Sequence, residues 1–120
     1  MLNLDTHIFL FALTGQLRRG ETELLREEQW SLSAIALWEI AKLAELGRIE
    51  LDLDDVEFVR AVSRVHIWPI TIEICRAIRS LDFDSDPADE LIAATSVVHN
   101  VPLLTRDRKM RRSKVVPRAD

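Results

Sequence analysis

Residues 86–107 read DPADELIAATSVVHNVPLLTRD, a pattern that predicts one helix followed by one buried strand. Asp86 is a good N-cap and the proline after it suits the first helical position, so a helix is predicted from there to about Asn100. The apolar run 101–105 is a predicted buried strand that ends two residues before Asp107. A helix that leads directly into a buried strand is typical of a parallel sheet.

The same alternation extends outward from this segment. Further strands are predicted at Met1–Leu4, Gln29–Leu32, His66–Pro69 and Lys114–Val116. Further helices are predicted at Thr6–Leu13, Glu21–Glu28, Ala34–Leu46 (capped by Ser33), Asp52–Val65, Ile72–Ser80 (capped by Thr71) and Arg106–Arg112. Strands that alternate with helices predict an α/β fold, in which a parallel sheet is covered by helices on both faces. The length of 120 residues predicts one domain over residues 1–120.

Composition indicates an ordinary globular chain, with 48% hydrophobic and 30% charged residues. No apolar run approaches the roughly 20 residues that span a bilayer, so no membrane association is expected. The N-terminal residues lack the basic region of a signal peptide. The lone Cys75 lies among isoleucines and is predicted to be a buried, inert thiol. These features favour a cytoplasmic location.

The net charge of −4 conceals a basic segment near the end of the sequence. Seven basic residues stand against two acidic ones in residues 106–120: Arg106, Arg108, Lys109, Arg111, Arg112, Lys114 and Arg118. A basic segment on an acidic protein attracts polyanions locally. A solvated helix face is the alternative interpretation, and the pattern alone leaves both open.

Four acidic residues occupy positions at which α/β proteins bind ligands. Asp5 directly follows the first predicted strand, and Asp107 follows the strand at 101–105. Asp86 and Asp89 begin the long helix between them. Ligands of open parallel sheets bind beyond the carboxyl ends of the strands. Taken singly, each acid is also explained as a helix cap, because aspartate accepts hydrogen bonds from backbone N–H groups at helix starts.

Glu39 is not explained by capping, since it lies six residues inside a predicted helix. Its helical neighbours Ile35, Leu43 and Leu46 are aliphatic, so its carboxylate projects from an apolar stripe. A charge there is costly unless it is paired, hydrogen-bonded or bound to a cation. The structural alternative is an ion pair with Lys42 at i+3 or with an arginine from another element. We favour a functional Glu39.

Four acids come from separate predicted elements: Asp5, Glu39, Asp89 and Asp107. If they converge, their negative charges repel one another unless cations or protons neutralise them. Oxygen ligands without a histidine or cysteine cluster suit magnesium or manganese. Such ions hold substrate phosphates and make water nucleophilic, which points to phosphate-ester chemistry.

Four motifs follow one another along the chain: Leu4-Asp5-Thr6-His7, Trp38-Glu39-Ile40-Ala41-Lys42-Leu43, Asp86-Pro87-Ala88-Asp89-Glu90-Leu91-Ile92-Ala93-Ala94-Thr95 and Leu103-Leu104-Thr105-Arg106-Asp107. In this order they resemble PIN-domain proteins of the VapC toxin type. The resemblance covers essentially the whole chain. It implies a three-layer α/β/α fold and a magnesium- or manganese-dependent endoribonuclease. It further implies a homodimer that is silenced by a cognate VapB-type antitoxin.

Carried over by position, the family's four catalytic and metal-binding acids fall on Asp5, Glu39, Asp89 and Asp107. Asp86 matches an accessory acid, and Thr105 matches a hydroxyl residue that steadies the last acid. The chain departs from close relatives at two places. They often have a histidine before the Asp-Pro segment and an arginine after its second aspartate. Here those places hold Phe83-Asp84-Ser85 and Glu90, and Glu90 either points into solvent or alters substrate approach.

The main hypothesis is therefore hydrolysis of RNA phosphodiester bonds. In this hypothesis the basic side chains that grip flanking phosphates are Arg106, Arg108, Lys109, Arg111 and Arg112. Base stacking is not expected, because Trp30, Trp38 and Trp68 lie in apolar runs that predict burial.

Two other hypotheses belong to different classes. One is a magnesium-binding regulatory module of the receiver type, which needs an aspartate after a middle strand and a lysine after a late one. Residues 69–71 read PIT and residues 105–107 read TRD, which disfavours it. The other is an inactive PIN-like scaffold that only binds its partner, which the presence of all four acids disfavours.

Overall fold

A computed structural model of the chain describes all 120 residues. Its elements, in chain order, are β1 (Leu2–Leu4), α1 (Thr6–Thr14), α2 (Arg19–Arg26), β2 (Trp30–Ser33), α3 (Ala34–Glu45), α4 (Val56–Ser63), β3 (His66–Trp68), α5 (Ile72–Ala77) with a 3-10 turn (Ile78–Ser80), α6 (Pro87–His99), β4 (Leu103–Leu104) and α7 (Arg108–Arg112). The four strands form one sheet in the order β3-β2-β1-β4, and every pair is parallel. This confirms the predicted α/β class and its central parallel sheet. None of the helices combines the length and apolarity needed to cross a membrane.

The alternation of side chains along the strands separates two apolar layers. Leu4 and Leu104 lie in a cluster with side chains from α1 to α4 on one face of the sheet. Leu103, the neighbour of Leu104, lies in a second cluster with Ile92 of α6 and Met110 of α7. Successive residues of a strand point to opposite faces, so adjacent leucines serve different layers. The three-layer α/β/α arrangement is confirmed.

A polar contact fixes α6 along the sheet. Asn3 in β1 is fully buried, and its Nδ2 donates hydrogen bonds to the Ile92 carbonyl at 3.2 Å and to Ser96 Oγ at 2.9 Å. Buried polar groups are costly without partners, so these bonds favour one position of α6 against β1. The first turn of α6, which contains Asp89, begins N-terminal to this contact.

The predicted helix caps are confirmed. Ser33, Thr71 and Asp86 each accept a hydrogen bond from a backbone N–H of the helix that follows. The helix predicted over Asp52–Val65 is wrong at its start, since α4 begins at Val56. The Asp52 side chain accepts from the Asp54 N–H and so closes a turn, and Asp55 then caps α4. Aspartate favours such turns over helix interiors.

The strand predicted at Lys114–Val116 is also wrong. The segment bends, and only one isolated bridge, between Leu103 and Arg118, joins the C-terminal residues to β4. Ser113 Oγ accepts hydrogen bonds from two amides of the segment, each at 3.1 Å, so those amides are used locally. Helix α7 begins at Arg108, two residues later than predicted, because Asp107 is its N-cap.

The burial predictions need correction at four residues. Cys75 is exposed, because α5 directs Ile74 into the core and the next residue points about 100° away around the helix. Trp38 has 55% of its surface exposed and belongs to neither apolar cluster. Trp30 and Trp68 are only half-buried.

Candidate active site

Five acidic residues line one cleft of about 330 Å³ at the carboxyl edge of the sheet: Asp5, Glu39, Asp86, Asp89 and Asp107. They come from four places in the chain that the parallel topology brings together. Asp5 follows β1 and Asp107 follows the end of β4, and these two strands are paired neighbours. Carboxyl ends of parallel strands share one edge of a sheet, which is why residues distant in sequence meet here.

The tightest group within the cleft contains Glu39, Asp86 and Asp89. One carboxylate oxygen from each lies within 4.8 Å of the others. Glu39 comes from the middle of α3, and the other two come from the start of α6. Asp5 and Asp107 line the same cleft outside this group. The structure thus gives Asp86 a more central position than the accessory one that the family resemblance implied.

Glu39 is held by a hydroxyl and has no cationic partner. Thr6 Oγ1 donates to Glu39 Oε1 at 2.5 Å. Lys42, which the structural alternative paired with Glu39, lies 3.4 Å from Glu45. That alternative is wrong, because Lys42 pairs with Glu45 and no arginine forms an ion pair with Glu39.

Thr105 links two of the acids through one hydroxyl. Its Oγ1 donates to Asp5 Oδ2 at 2.6 Å and accepts from the Asp107 N–H at 3.0 Å. Asp5 Oδ1 accepts in turn from the Thr6 N–H at 2.9 Å, so both oxygens of this buried carboxylate are fixed. Asp107 Oδ1 caps α7 by accepting from the Met110 N–H at 3.1 Å.

The start of α6 is held by a small hydrogen-bond network. Asp86 Oδ1 accepts from the Asp89 N–H at 2.9 Å, and Ser85 Oγ donates to Asp89 Oδ2 at 2.9 Å. Glu90 Oε2 accepts from the Ser85 N–H at 3.1 Å. The extra acid Glu90 therefore folds back onto the preceding loop and does not line the cleft. Ser85 was not singled out from the sequence, where its only signal is a hydroxyl directly before a capping aspartate.

The cleft is electrostatically unfavourable for its own carboxylates. Burial raises the pKa of Asp5, against the hydrogen bond from Thr105. Burial also raises the pKa of Glu39, and the charges of Asp5 and Asp86 add to the shift. The pKa of Asp89 is raised to about 7, first by burial and then by Asp5, Asp86 and Asp107. Clustered carboxylates with raised pKa values favour proton or cation binding at neutral pH.

The chemistry of the donors fits a hard divalent cation. The ligand atoms are carboxylate oxygens, and the lone cysteine lies elsewhere on α5. Glu39, Asp89 and Asp107 form no ion pair with a lysine or arginine. Unpaired carboxylates at this spacing suit magnesium or manganese better than a thiolate-binding metal.

The basic residues of the C-terminal segment differ in how freely their charges are available. Arg106 pairs with Glu21, and Arg111 pairs with Asp120 at 2.8 Å. Lys109 Nζ donates to the Asp84 carbonyl at 3.0 Å. The predicted RNA-binding side chains that make neither a hydrogen bond nor an ion pair are Arg108 and Arg112.

A groove of about 680 Å³ adjoins the acidic cleft, and four arginines line it: Arg18, Arg106, Arg108 and Arg111. Arg18 was not predicted as a binding residue, because it lies far from the basic segment in sequence. Arg106 lines both the groove and the acidic cleft. The two depressions are therefore neighbours that share this side chain.

Comparison with known proteins gives a consistent result. The family model described as PIN domain matches residues 3–115. The chain is 34% identical to Ribonuclease VapC22 of Mycobacterium tuberculosis over 88 residues, which are 70% of this chain and 67% of that protein. Among solved structures, VapBC2 from Rickettsia felis bound to a promoter DNA fragment superposes with a TM-score of 0.74 at 17% identity, over 98% and 96% of the two chains. A toxin–antitoxin complex from Klebsiella pneumoniae superposes with a TM-score of 0.68 at 22% identity, over 93% and 91%.

Proposed function

The chain belongs to the PIN domain family, and from that premise we propose that it is a metal-dependent endoribonuclease and the toxin of a toxin–antitoxin pair. The observation that carries the proposal is the convergence of five carboxylates on one cleft at the sheet edge. The likeness to Ribonuclease VapC22 supports RNA as the substrate. Membership of this family excludes the receiver-type hypothesis.

The residues that would hold the metal are Asp5, Glu39, Asp89 and Asp107, with Asp86 as an additional ligand. The closest three oxygens belong to Glu39, Asp86 and Asp89, which favours this group as the direct ligands. Asp5 and Asp107 then act directly or through water. A bound magnesium or manganese ion supplies positive charge to the scissile phosphate and lowers the pKa of an attacking water.

The protein's own contribution is to orient these acids before RNA arrives. Hydroxyl groups of Thr6, Ser85 and Thr105 each donate to one carboxylate of the cleft. A carboxylate oxygen has two acceptor positions, so each remains able to face a cation while it is held. Groups fixed in this way lose little freedom when substrate binds, which is the main advantage of preorganised sites.

We further propose a VapB-type antitoxin as the protein partner and a homodimer as the assembly. The support for the antitoxin is that the similar solved structures are toxin–antitoxin complexes. The support for the dimer is the family resemblance, and sedimentation of the purified chain measures it directly.

Cleavage of RNA by the purified chain tests the main proposal. Activity is expected with magnesium or manganese, weakly with calcium because of its larger and looser coordination shell, and not with chelator. Asp5→Asn is expected to abolish activity, because it removes a charge from the buried centre of the cleft. Asp84→Asn, purified in parallel, removes an exposed charge outside the cleft and should leave activity intact. Equal cleavage by the Asp5→Asn protein, or full cleavage in chelator, would contradict the metal-dependent mechanism. No cleavage by the unmodified chain with either metal would favour an inactive PIN-like scaffold.

A further inference from the structure

Glu21 is a buried carboxylate that lies outside the acidic cleft, in the first turn of α2. Only 7% of its surface is exposed. Its two oxygens accept hydrogen bonds from Arg106, from Nε at 2.8 Å and from Nη2 at 2.7 Å. This fork-to-fork geometry is the strongest form of arginine–carboxylate pairing and fixes the plane of the guanidinium.

Two further contacts restrain the same guanidinium. Nη2 of Arg106 also donates to the Gln16 carbonyl at 3.1 Å. The Phe11 ring lies against the guanidinium, with 4.1 Å between Cζ and the ring centroid. Arg106 is thus held at its edge by Glu21 and Gln16 and at its face by Phe11.

The guanidinium is held firmly and is still incompletely used. Of its five N–H groups, those on Nε and Nη2 are bonded within the protein, whereas Nη1 has no partner. Arg106 is also the only lysine or arginine that lines the acidic cleft, and it lines the adjoining groove of four arginines as well. If the Glu21–Arg106 pair served only to attach α2 to the sheet edge, Arg106 would need no free Nη1. It would also not need to lie between the acidic cleft and the groove.

Resting on the proposed ribonuclease function, we propose that Glu21 is a positioning residue. It holds Arg106 at the junction of the two clefts so that Nη1 binds the RNA phosphate next to the one that is cleaved. The strand would then continue into the groove lined by Arg18, Arg108 and Arg111. A phosphate is the expected ligand because the free Nη1 offers two N–H donors to its anionic oxygens.

Substitution of Glu21 by glutamine tests this role. The change keeps the shape and one acceptor but removes the charge and the fork geometry that orient Arg106. The phosphate contact is made in ground state and transition state alike, so the Michaelis constant for RNA should rise while kcat stays constant. A rise of about ten-fold is expected, as for loss of a hydrogen bond to a charged group. Manganese affinity should stay unchanged, because no proposed metal ligand is altered.

The matched control is Glu23→Gln in the same helix. Glu23 pairs with Arg19 at 3.4 Å on the exposed face of α2, so the control loses an ion pair without touching either cleft. Its Michaelis constant and kcat should equal those of the unmodified chain. Phe11→Leu is a second variant, which loosens Arg106 from its face and leaves Glu21 in place. It should also raise the Michaelis constant without changing manganese affinity, and it serves alone if Glu21→Gln does not fold.

A Michaelis constant that stays constant or falls in a folded Glu21→Gln or Phe11→Leu protein would overturn the positioning role. A fall would show that Glu21 merely neutralises Arg106. If the unmodified chain binds manganese but cleaves no RNA, the ribonuclease proposal itself has failed. The two failures are therefore distinguishable from the unmodified chain alone.

Discussion

Glu39 is a residue whose charge is unfavourable in the metal-free protein. It is half-buried, and the negative charges of Asp5 and Asp86 raise its pKa. Its one hydrogen-bond partner is the neutral hydroxyl of Thr6. No lysine or arginine compensates it. Residues of this kind are retained for function at a cost in stability.

Glu39→Gln is therefore expected to separate stability from activity. The metal-free protein should melt at the same temperature or higher, because the change relieves repulsion and preserves an acceptor for Thr6. Cleavage should fall by about two orders of magnitude or more, as when a charge-stabilising group is removed from an active site. Thermal melts in chelator and an RNA-cleavage assay measure both effects.

Glu45→Gln is the control for that experiment, since Glu45 lies on the exposed side of the same helix and pairs with Lys42. It should change neither property by much, because exposed pairs contribute about 0–1 kcal/mol. A Glu39→Gln protein that melts much earlier and cleaves normally would exclude Glu39 as a metal ligand.

The functional importance of a single residue was predictable where the sequence put a charge among apolar neighbours. Glu39 stood out because it is too deep in α3 to act as a cap. Ser85 and Glu21 did not stand out, since a serine at a helix start and an acid in a first turn are ordinary features. Their importance arises from partners that are distant in sequence: Glu21 meets a side chain 85 positions away.

At the scale of elements, the helix caps and the candidate ligands are the same residues. Asp5, Asp86 and Asp107 each accept a backbone N–H at a helix start, and each also lines the acidic cleft. Sequence reasoning treated capping and function as alternatives. In the structure one carboxylate serves both, because a cap occupies only part of its acceptor capacity.

The end of β4 provides a test at this scale, because the Thr105 hydroxyl joins the acids that follow two strands. Thr105→Val should leave Asp5 Oδ2 and the Asp107 N–H without this partner. The expected cost is about 1–3 kcal/mol in the free energy of unfolding, together with reduced cleavage. Urea denaturation and the cleavage assay measure the two effects. Thr105→Ser keeps the hydroxyl and should retain most of both. Equal behaviour of the valine and serine variants would show that the hydroxyl has no role.

Element order and type were predictable from periodicity and caps, whereas element ends were not. The start of α4 moved to Val56 because the Asp52 and Asp55 side chains bond to nearby amides. The segment 114–116 has the apolar character of a strand, yet Ser113 uses two of its amides. Both differences arise from local side-chain hydrogen bonds that compete with regular structure, and hydrophobic patterns do not report these bonds.

For the whole molecule, the raised pKa values predict how stability depends on pH. In the folded chain without metal, the pKa values of Asp5, Glu39 and Asp89 are all raised above those of the unfolded chain. Between the ordinary value of 3.8 and about 7 for Asp89, the folded state binds more protons than the unfolded state. These groups therefore add to the free energy of unfolding at low pH, and this contribution decreases as pH rises through that window.

Urea denaturation in chelator from pH 5 to pH 8 measures this dependence. The unmodified chain should lose stability as pH rises, and Asp89→Asn should show a flatter profile because it cannot titrate. Arg106 lowers the pKa of Glu21, so this pair has the opposite pH dependence. Its contribution to the free energy of unfolding is lost as pH falls and Glu21 takes up a proton. A profile for the unmodified chain that rises from pH 5 to pH 8 would contradict the assigned electrostatics of the cleft.

The central position of β1 has a consequence for how the molecule is made. β1 pairs with β2 on one side and β4 on the other, and Thr105 bonds to Asp5 across 100 positions of the chain. At about 5–20 residues per second, a ribosome needs roughly 5–20 seconds to synthesise the chain between these partners. During that time the nascent chain has its first acid but not its last strand, so the cleft does not yet exist. Assembly of the acids is thus a late event of biosynthesis, and an incomplete chain at the ribosome does not carry an assembled nuclease centre beside its own message.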